Sequence, residues 1–233
     1  MEDENGKAVA EQHEQVLEGV FAVVKPANVS SADVLLKLQS TFASSDTFAP
    51  LRRHQPKRTS KSSDQVFRLG HGGTLDPLAS GVLIVGIGRG TRSLSQYLAC
   101  DKSYDTTILF GMSTDSYDCT GTMKTRADAS HVTRQLVEEQ LPNFLGTIQQ
   151  VPPVYSALKI NGMKACEYVR QGKELPQALE SREMEVKRCD LLEWYDAGQH
   201  DFAFPGEEEP APAPAVRIRL KASLAIPFRT WLR

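Results

Sequence analysis

Three glycines stand within four positions at Gly70-His71-Gly72-Gly73, and Thr74-Leu75-Asp76-Pro77 follows at once. Glycine lets the backbone turn tightly and approach a ligand closely, while Pro77 disfavours helical geometry at Asp76. The spacing predicts a carboxylate held on a rigid corner. Behind it runs Val82-Leu83-Ile84-Val85-Gly86-Ile87-Gly88, apolar enough for a buried strand. Asp76 then stands at the edge of a partly dry interior, where a carboxylate's proton affinity shifts and it can act as nucleophile or base. An Asp-Pro turn is also a common structural device, and the residues alone leave both roles open. Two other chemistries are disfavoured by pattern. There is no G-K-[ST] and no G-x-G-x-x-G between a strand and a helix, which argues against a nucleotide cofactor. There is no G-x-S-x-G elbow to make a serine triad with His71.

The elements that must carry this corner can be read from periodicity. Gly19–Lys25 is β-rich and stops at Pro26, a strand entering a turn. Ser30-x-x-Asp33 has the spacing of a capping box, and Val34, Leu35, Leu38 and Phe42 continue it as an amphipathic helix over 31–42. Val82–Ile87 reads as a strand, Thr91–Leu98 as a short helix and Lys102–Phe110 as another strand. Helices are predicted over 131–141 and 164–171, with strands at Arg182–Trp194 and Val216–Ile226, the last alternating apolar and polar positions. Strands and helices are mixed rather than alternating in βαβ units, which predicts an α+β fold with a mixed or antiparallel sheet.

Composition narrows the class. The chain has 233 residues, 40% hydrophobic and 24% charged, with net charge −2, the balance of a globular protein able to bury a core. Residues 1–18 hold six acids against Lys7 and read as an acidic tail, whereas Arg52, Arg53, Lys57, Arg58 and Lys61 face no acid between 52 and 61. Segment 43–66, rich in Ser, Pro and basic side chains, reads as an exposed insertion that is either solvated or in contact with phosphates. Residues 205–215 read as an acidic, proline-rich exposed connection. The four cysteines are widely spaced without C-x-x-C, so neither a zinc cage nor a disulfide framework is indicated. No signal-like or membrane-spanning stretch is visible, and an intracellular protein is expected.

Gly70–Leu83 and its continuation GIGRGTR resemble the signature of the TruB family of tRNA pseudouridine synthases. The likeness extends to three further segments in order. Lys25-Pro26-Ala27-Asn28-Val29-Ser30-Ser31 is similar to the family's K-P-x-G-x-[ST]-S turn, with Asn28, which tolerates positive φ, in place of glycine. Lys102-Ser103-Tyr104 and Thr114-Asp115-x-x-Asp118-x-x-Gly121 resemble its K-x-Y strand and T-D-x-x-D-x-x-G loop. Val151-Pro152-Pro153-Val154-Tyr155-Ser156-Ala157-Leu158-Lys159 resembles its P-P-x-Y-S-A-L-K segment, and the basic insertion resembles that of the eukaryotic, fungal branch.

The resemblance implies a pseudouridine synthase fold, a largely antiparallel central sheet flanked by helices. It implies an isomerase that converts a T-arm uridine of tRNA to pseudouridine, with no cofactor and no metal. Chemistry on a base needs it outside the stack, so the uridine is flipped into a pocket. Asp76 would be the essential carboxylate, by covalent attack or by removing a sugar proton. Tyr104 would lie against the flipped uracil and His71 would hold the flipped conformation, with Gly73 letting backbone close on the substrate. Lys25 and Pro26 would form a supporting turn, Tyr155 to Lys159 a pocket wall, and Arg52, Arg53, Lys57 and Arg58 phosphate contacts. Arg89 and Arg92 face either phosphates or a salt bridge. Arg229 stands about where the family has an arginine that pairs with the catalytic Asp, although the glycine expected before it is missing. The chain ends at Arg233, and an incomplete catalytic domain over 19–233 is expected, monomeric, and nuclear or mitochondrial. The alternative is a non-catalytic RNA-binding or tRNA-folding module, or an inactive fragment of such an enzyme.

Overall fold

A computed structural model describes residues 16–54, 66–152 and 159–223. The chain divides into two compact units, Met1–Leu98 and Ala99–Arg233. No helix among the described residues is long and apolar enough to cross a membrane.

The first unit begins with strand β1, Gly19–Lys25. Helix α1, Ser31–Ala43, starts on the capping box read from the sequence: Ser30 accepts the Asp33 N–H, and the Asp33 side chain answers the Ser30 backbone. A single turn at Asp46–Phe48 leads to helix α2, Ala49–His54. Strands β2, Leu69–His71, and β3, Gly81–Ile87, precede helix α3, Leu94–Leu98. The sheet runs β1-β3-β2, antiparallel throughout, with Lys25 opposite Gly81 and His71 opposite Val85. Leu51, Phe67 and Ile87 are buried together, and Val16, Phe21, Phe42 and Phe48 pack against them. Phe42 and Phe48 stack at 4.2 Å. Gln39, buried on α1, serves as a strand would: its amide donates to the Phe67 carbonyl at 2.6 Å and its oxygen accepts the Phe67 N–H at 2.9 Å.

Two expectations change here. The first residues of the 43–66 segment are not a solvated loop, because Phe48 and Leu51 enter the core. Two apolar residues three apart make only one helical turn, too short for periodicity to register. Nor does the acidic tail extend to residue 18, since Val16 packs on the core and Glu18 pairs with Arg89.

The second unit holds strands β4, Lys102–Leu109, β5, Met112–Thr114, and β6, Met123–Arg126. Helix α4, Arg134–Gln140, and strand β7, Gly146–Gln150, follow. Strands β8, Lys159–Ile160, and β9, Met163–Lys164, form a hairpin that runs into helix α5, Ala165–Arg170. Strands β10, Arg182–Tyr195, and β11, Ala215–Ala222, complete the main sheet, ordered β4-β11-β10-β7 and antiparallel throughout. One face of β11 is apolar: Val216, Ile218, Leu220 and Ala222 are buried, and Leu220 and Ala222 join Met184 and Val186 in a core. The other face is charged. Asp105 of β4 accepts two bonds from Arg219, at 2.7 and 2.8 Å, and one from Arg217 at 3.3 Å.

The acidic, proline-rich stretch 205–215 is also not wholly exposed. Ala211, Ala213 and Ala215 are buried, with Ala211 and Ala213 packed against Phe204 and Ala129. Pro212 stays out between Ala211 and Ala213, whereas Pro214 is buried together with the alanines on either side of it as the chain enters β11. His200 anchors the run: Nε2 lies 2.8 Å from the Ala213 carbonyl while Nδ1 accepts the Phe202 N–H, which specifies the neutral Nε2–H tautomer.

Candidate active site

The corner bearing Asp76 is held from both sides. Lys25 ends β1 fully buried, and its ammonium donates to the carbonyls of Pro26 at 2.8 Å, Val29 at 2.6 Å and Pro77 at 3.1 Å. Three bonds use every hydrogen of the ammonium. Burial pushes Lys25 below the ordinary lysine range, and the nearby Asp76 charge opposes that shift. Ser31, the first residue of α1, holds the residue before Asp76: its hydroxyl lies 3.2 Å from the Leu75 carbonyl and 3.1 Å from the Leu75 nitrogen. The Asp76 carbonyl closes a turn of its own by accepting the Ala79 N–H at 3.1 Å. The carbonyls of Leu75, Asp76 and Pro77 therefore each have a donor, and Asp76 is half-buried.

The turns that allow this need unusual backbone. Asn28 takes φ 63° between Lys25 and Ser30, where the resemblance expects glycine, and Gly73 takes φ 144°, a region closed to most side chains. His71 lies on β2, partly buried, with Nδ1 enclosed and without a hydrogen-bond partner.

In the second unit, Tyr104 lies on β4 directly opposite Leu220, on the apolar face of the main sheet, and is half-buried. Lys159 is exposed on β8. The T-D-x-x-D-x-x-G loop explains itself as architecture. The Asp118 carboxylate accepts from the Ser116 and Thr120 hydroxyls and the Thr120 N–H, and Asp115 accepts the Thr122 N–H. A side chain at Gly121 would collide with Asp115 and the Ser116 backbone.

Of the proposed phosphate contacts, Arg52 is exposed and donates to the Ala43 carbonyl at the end of α1. Lys57, Arg58, Tyr155 and Arg229 lie outside the described residues, as does the Arg53 side chain. Arg89 takes the salt-bridge alternative: it pairs with Glu18, whose carboxyl is held below the usual range by the Arg89 backbone N–H and guanidinium. Sequence reasoning assigned Ser31 no role. The available signal was its neighbour: Ser30 alone satisfies the cap, which leaves a second serine with no local task.

Residues 58–206 match the model of the TruB family pseudouridylate synthase N-terminal domain. The chain belongs to the TruB family. It is 39% identical over 197 residues to tRNA pseudouridine synthase 4 of Schizosaccharomyces pombe, covering 81% of this chain and 48% of that protein. The namesake in Saccharomyces cerevisiae is 36% identical over 205 residues, covering 81% and 50%. Mouse pseudouridylate synthase TRUB1 is 39% identical over 178 residues, covering 76% and 51%. This TruB chain thus spans about half the length of these curated relatives. Among solved structures, a chain of a Cbf5-Nop10-Gar1 complex matches with TM-score 0.53 at 20% identity, covering 95% of this chain and 44% of that one. That likeness concerns the fold, an α+β pseudouridine synthase fold, and among the described residues every strand pairing is antiparallel.

Proposed function

We propose that this TruB-family protein isomerises a T-arm uridine of tRNA to pseudouridine, with Asp76 as the essential carboxylate and residues 19–233 as part of its catalytic domain. The observation that carries the reading is the corner itself: three consecutive carbonyls, at Leu75, Asp76 and Pro77, are each held by a separate donor around one acidic side chain. Preorganisation of that kind is what a reacting group requires. The name of the two yeast relatives, tRNA pseudouridine synthase 4, supports tRNA as the substrate class.

The reaction breaks the bond from the sugar to uracil N1 and remakes it at C5. C5 gives up a proton and N1 gains one, so nothing is oxidised and no group is imported. Asp76 acts on the sugar or base, Tyr104 stacks on the extruded uracil and offers a hydroxyl for proton transfer, and His71 occupies space vacated in the RNA. Gly73, Pro26, Tyr155, Lys159 and Arg229 complete the surroundings of the base, while Arg52, Arg53, Lys57 and Arg58 meet phosphates. An isomerisation that imports no group and oxidises nothing needs no metal or cofactor; the protein works as a monomer, in the nucleus or mitochondrion as its likeness to eukaryotic relatives suggests. The test is pseudouridine formation on unmodified tRNA by the wild type and by Asp76→Asn. Turnover by the Asn variant overturns the assignment.

A further inference from the structure

Ser30 and Ser31 are adjacent and chemically identical, yet the structure uses them differently. Ser30 caps α1: its hydroxyl accepts the Asp33 N–H at 3.1 Å and donates to the Asp33 carboxylate at 2.6 Å. The cap is then satisfied without Ser31. The Ser31 side chain is buried at 3% exposure and reaches Leu75, 44 residues away in sequence, with both the carbonyl and the nitrogen of that residue in hydrogen-bond range. One hydroxyl carries one hydrogen and two lone pairs, so it can donate to the carbonyl and accept from the N–H together.

We propose that Ser31 is a positioning residue for Asp76, a reading that rests on Asp76 being the reacting carboxylate. The peptide group joining Leu75 to Asp76 carries the Leu75 carbonyl that Ser31 holds. On the far side, the Pro77 ring locks its own φ, and Lys25 holds the Pro77 carbonyl. The two tethers thus enclose the Asp76 backbone between fixed points, and the Ser31 tether is the nearer. Loss of the Ser31 hydroxyl releases the preceding peptide group and lets the carboxylate drift, while the α1 cap and the Lys25 clamp keep the fold. A displacement near 1 Å at a reacting group costs up to about 10²-fold in rate. Ser31 touches neither sugar nor base, so its effect falls on turnover and leaves RNA affinity alone.

The experiment compares the 233-residue chain with its Ser31→Ala, Ser31→Thr and Asp76→Asn variants. The measurements are thermal unfolding, tRNA affinity, single-turnover rate at saturating protein, and hydrogen exchange of the Leu75 amide in the free protein. The expected result is a roughly 10- to 100-fold slower turnover for Ser31→Ala at unchanged affinity, faster Leu75 exchange, and recovery of both in Ser31→Thr, which keeps the hydroxyl. Ser31→Ala turning over at the wild-type rate while Asp76→Asn is silent overturns the positioning role and leaves the catalytic reading standing. Turnover by Asp76→Asn overturns the catalytic reading itself. A parallel fall in unfolding temperature, affinity and rate in both Ser31 variants shows a merely structural residue. Unchanged Leu75 exchange in Ser31→Ala removes the tether, whatever the rates.

Discussion

At the scale of single residues, Lys25 sets the desolvation of a buried charge against the three carbonyls it holds. Hydrogen bonds to a charged group are worth about 1.5–3 kcal/mol each, against a burial penalty of several kcal/mol for the ion. Lys25→Met removes the buried charge but leaves three carbonyls without their donor, so it is expected to cost about 2–4 kcal/mol, read by urea unfolding. Turnover should fall as well where the variant is still folded, since the Pro77 carbonyl beside Asp76 loses its donor. Asp76→Asn preserves shape and removes charge, so isomerisation should vanish while tRNA affinity stays within about twofold. A rate that follows stability rather than the Asp76 charge would contradict both expectations.

At the scale of elements, the unexpected core in the insertion is open to measurement. Leu51→Ala on α2 is expected to cost about 2–4 kcal/mol, the range for a buried leucine, whereas a solvated loop residue would cost under about 0.5 kcal/mol. Gln39→Leu should cost about 2–4 kcal/mol, because it leaves the buried Phe67 N–H and carbonyl unpaired. Calorimetry on both variants decides. In the main sheet, hydrogen bonds from Arg219 foremost hold the Asp105 carboxyl below the usual range. A carboxylate with a lowered folded-state value stabilises fully above the ordinary aspartate range, and that contribution fades as pH falls through the lowered value. Asp105→Asn should therefore flatten the acid limb of stability against pH. Arg219 is 49% exposed, so the gain at neutral pH stays below about 1 kcal/mol.

At the scale of the whole molecule, net charge −2 hides a separation between the acidic first 18 residues and the basic cluster from Arg52 to Lys61. If Arg52, Arg53, Lys57 and Arg58 meet tRNA phosphates, neutralising all four should weaken binding across RNA sequences. The slope of log affinity against log salt should shrink by about 0.7–0.9 for each phosphate that the variant no longer neutralises. Titrations from low to moderate salt test this, and an unchanged slope returns the cluster to solvent. Choice of uridine should not change, since phosphate contacts set register without reading bases.

What the sequence determined by itself is local. Gly19–Lys25 is a strand over its full predicted length, Ser30 and Asp33 close the capping box, Asn28 takes the positive φ its turn requires, and the alternation of Val216, Ile218, Leu220 and Ala222 points one way. These follow from propensity, side-chain period and turn chemistry within a few residues of each position. The ordered motifs also sufficed to identify the family. Tertiary structure alone decided the partners: Ser31 with Leu75 across 44 residues, Lys25 with Pro77 across 52, and Arg219 with Asp105 across 114. The same period-two pattern is compatible with many strand orders and registers, so a strand's alternation cannot name its opposite residue. Nor can a lysine at a strand end announce that it is buried. That depends on whether the Pro77 carbonyl joins those of Pro26 and Val29 in the turn just after it, and only the folded chain brings the two turns together.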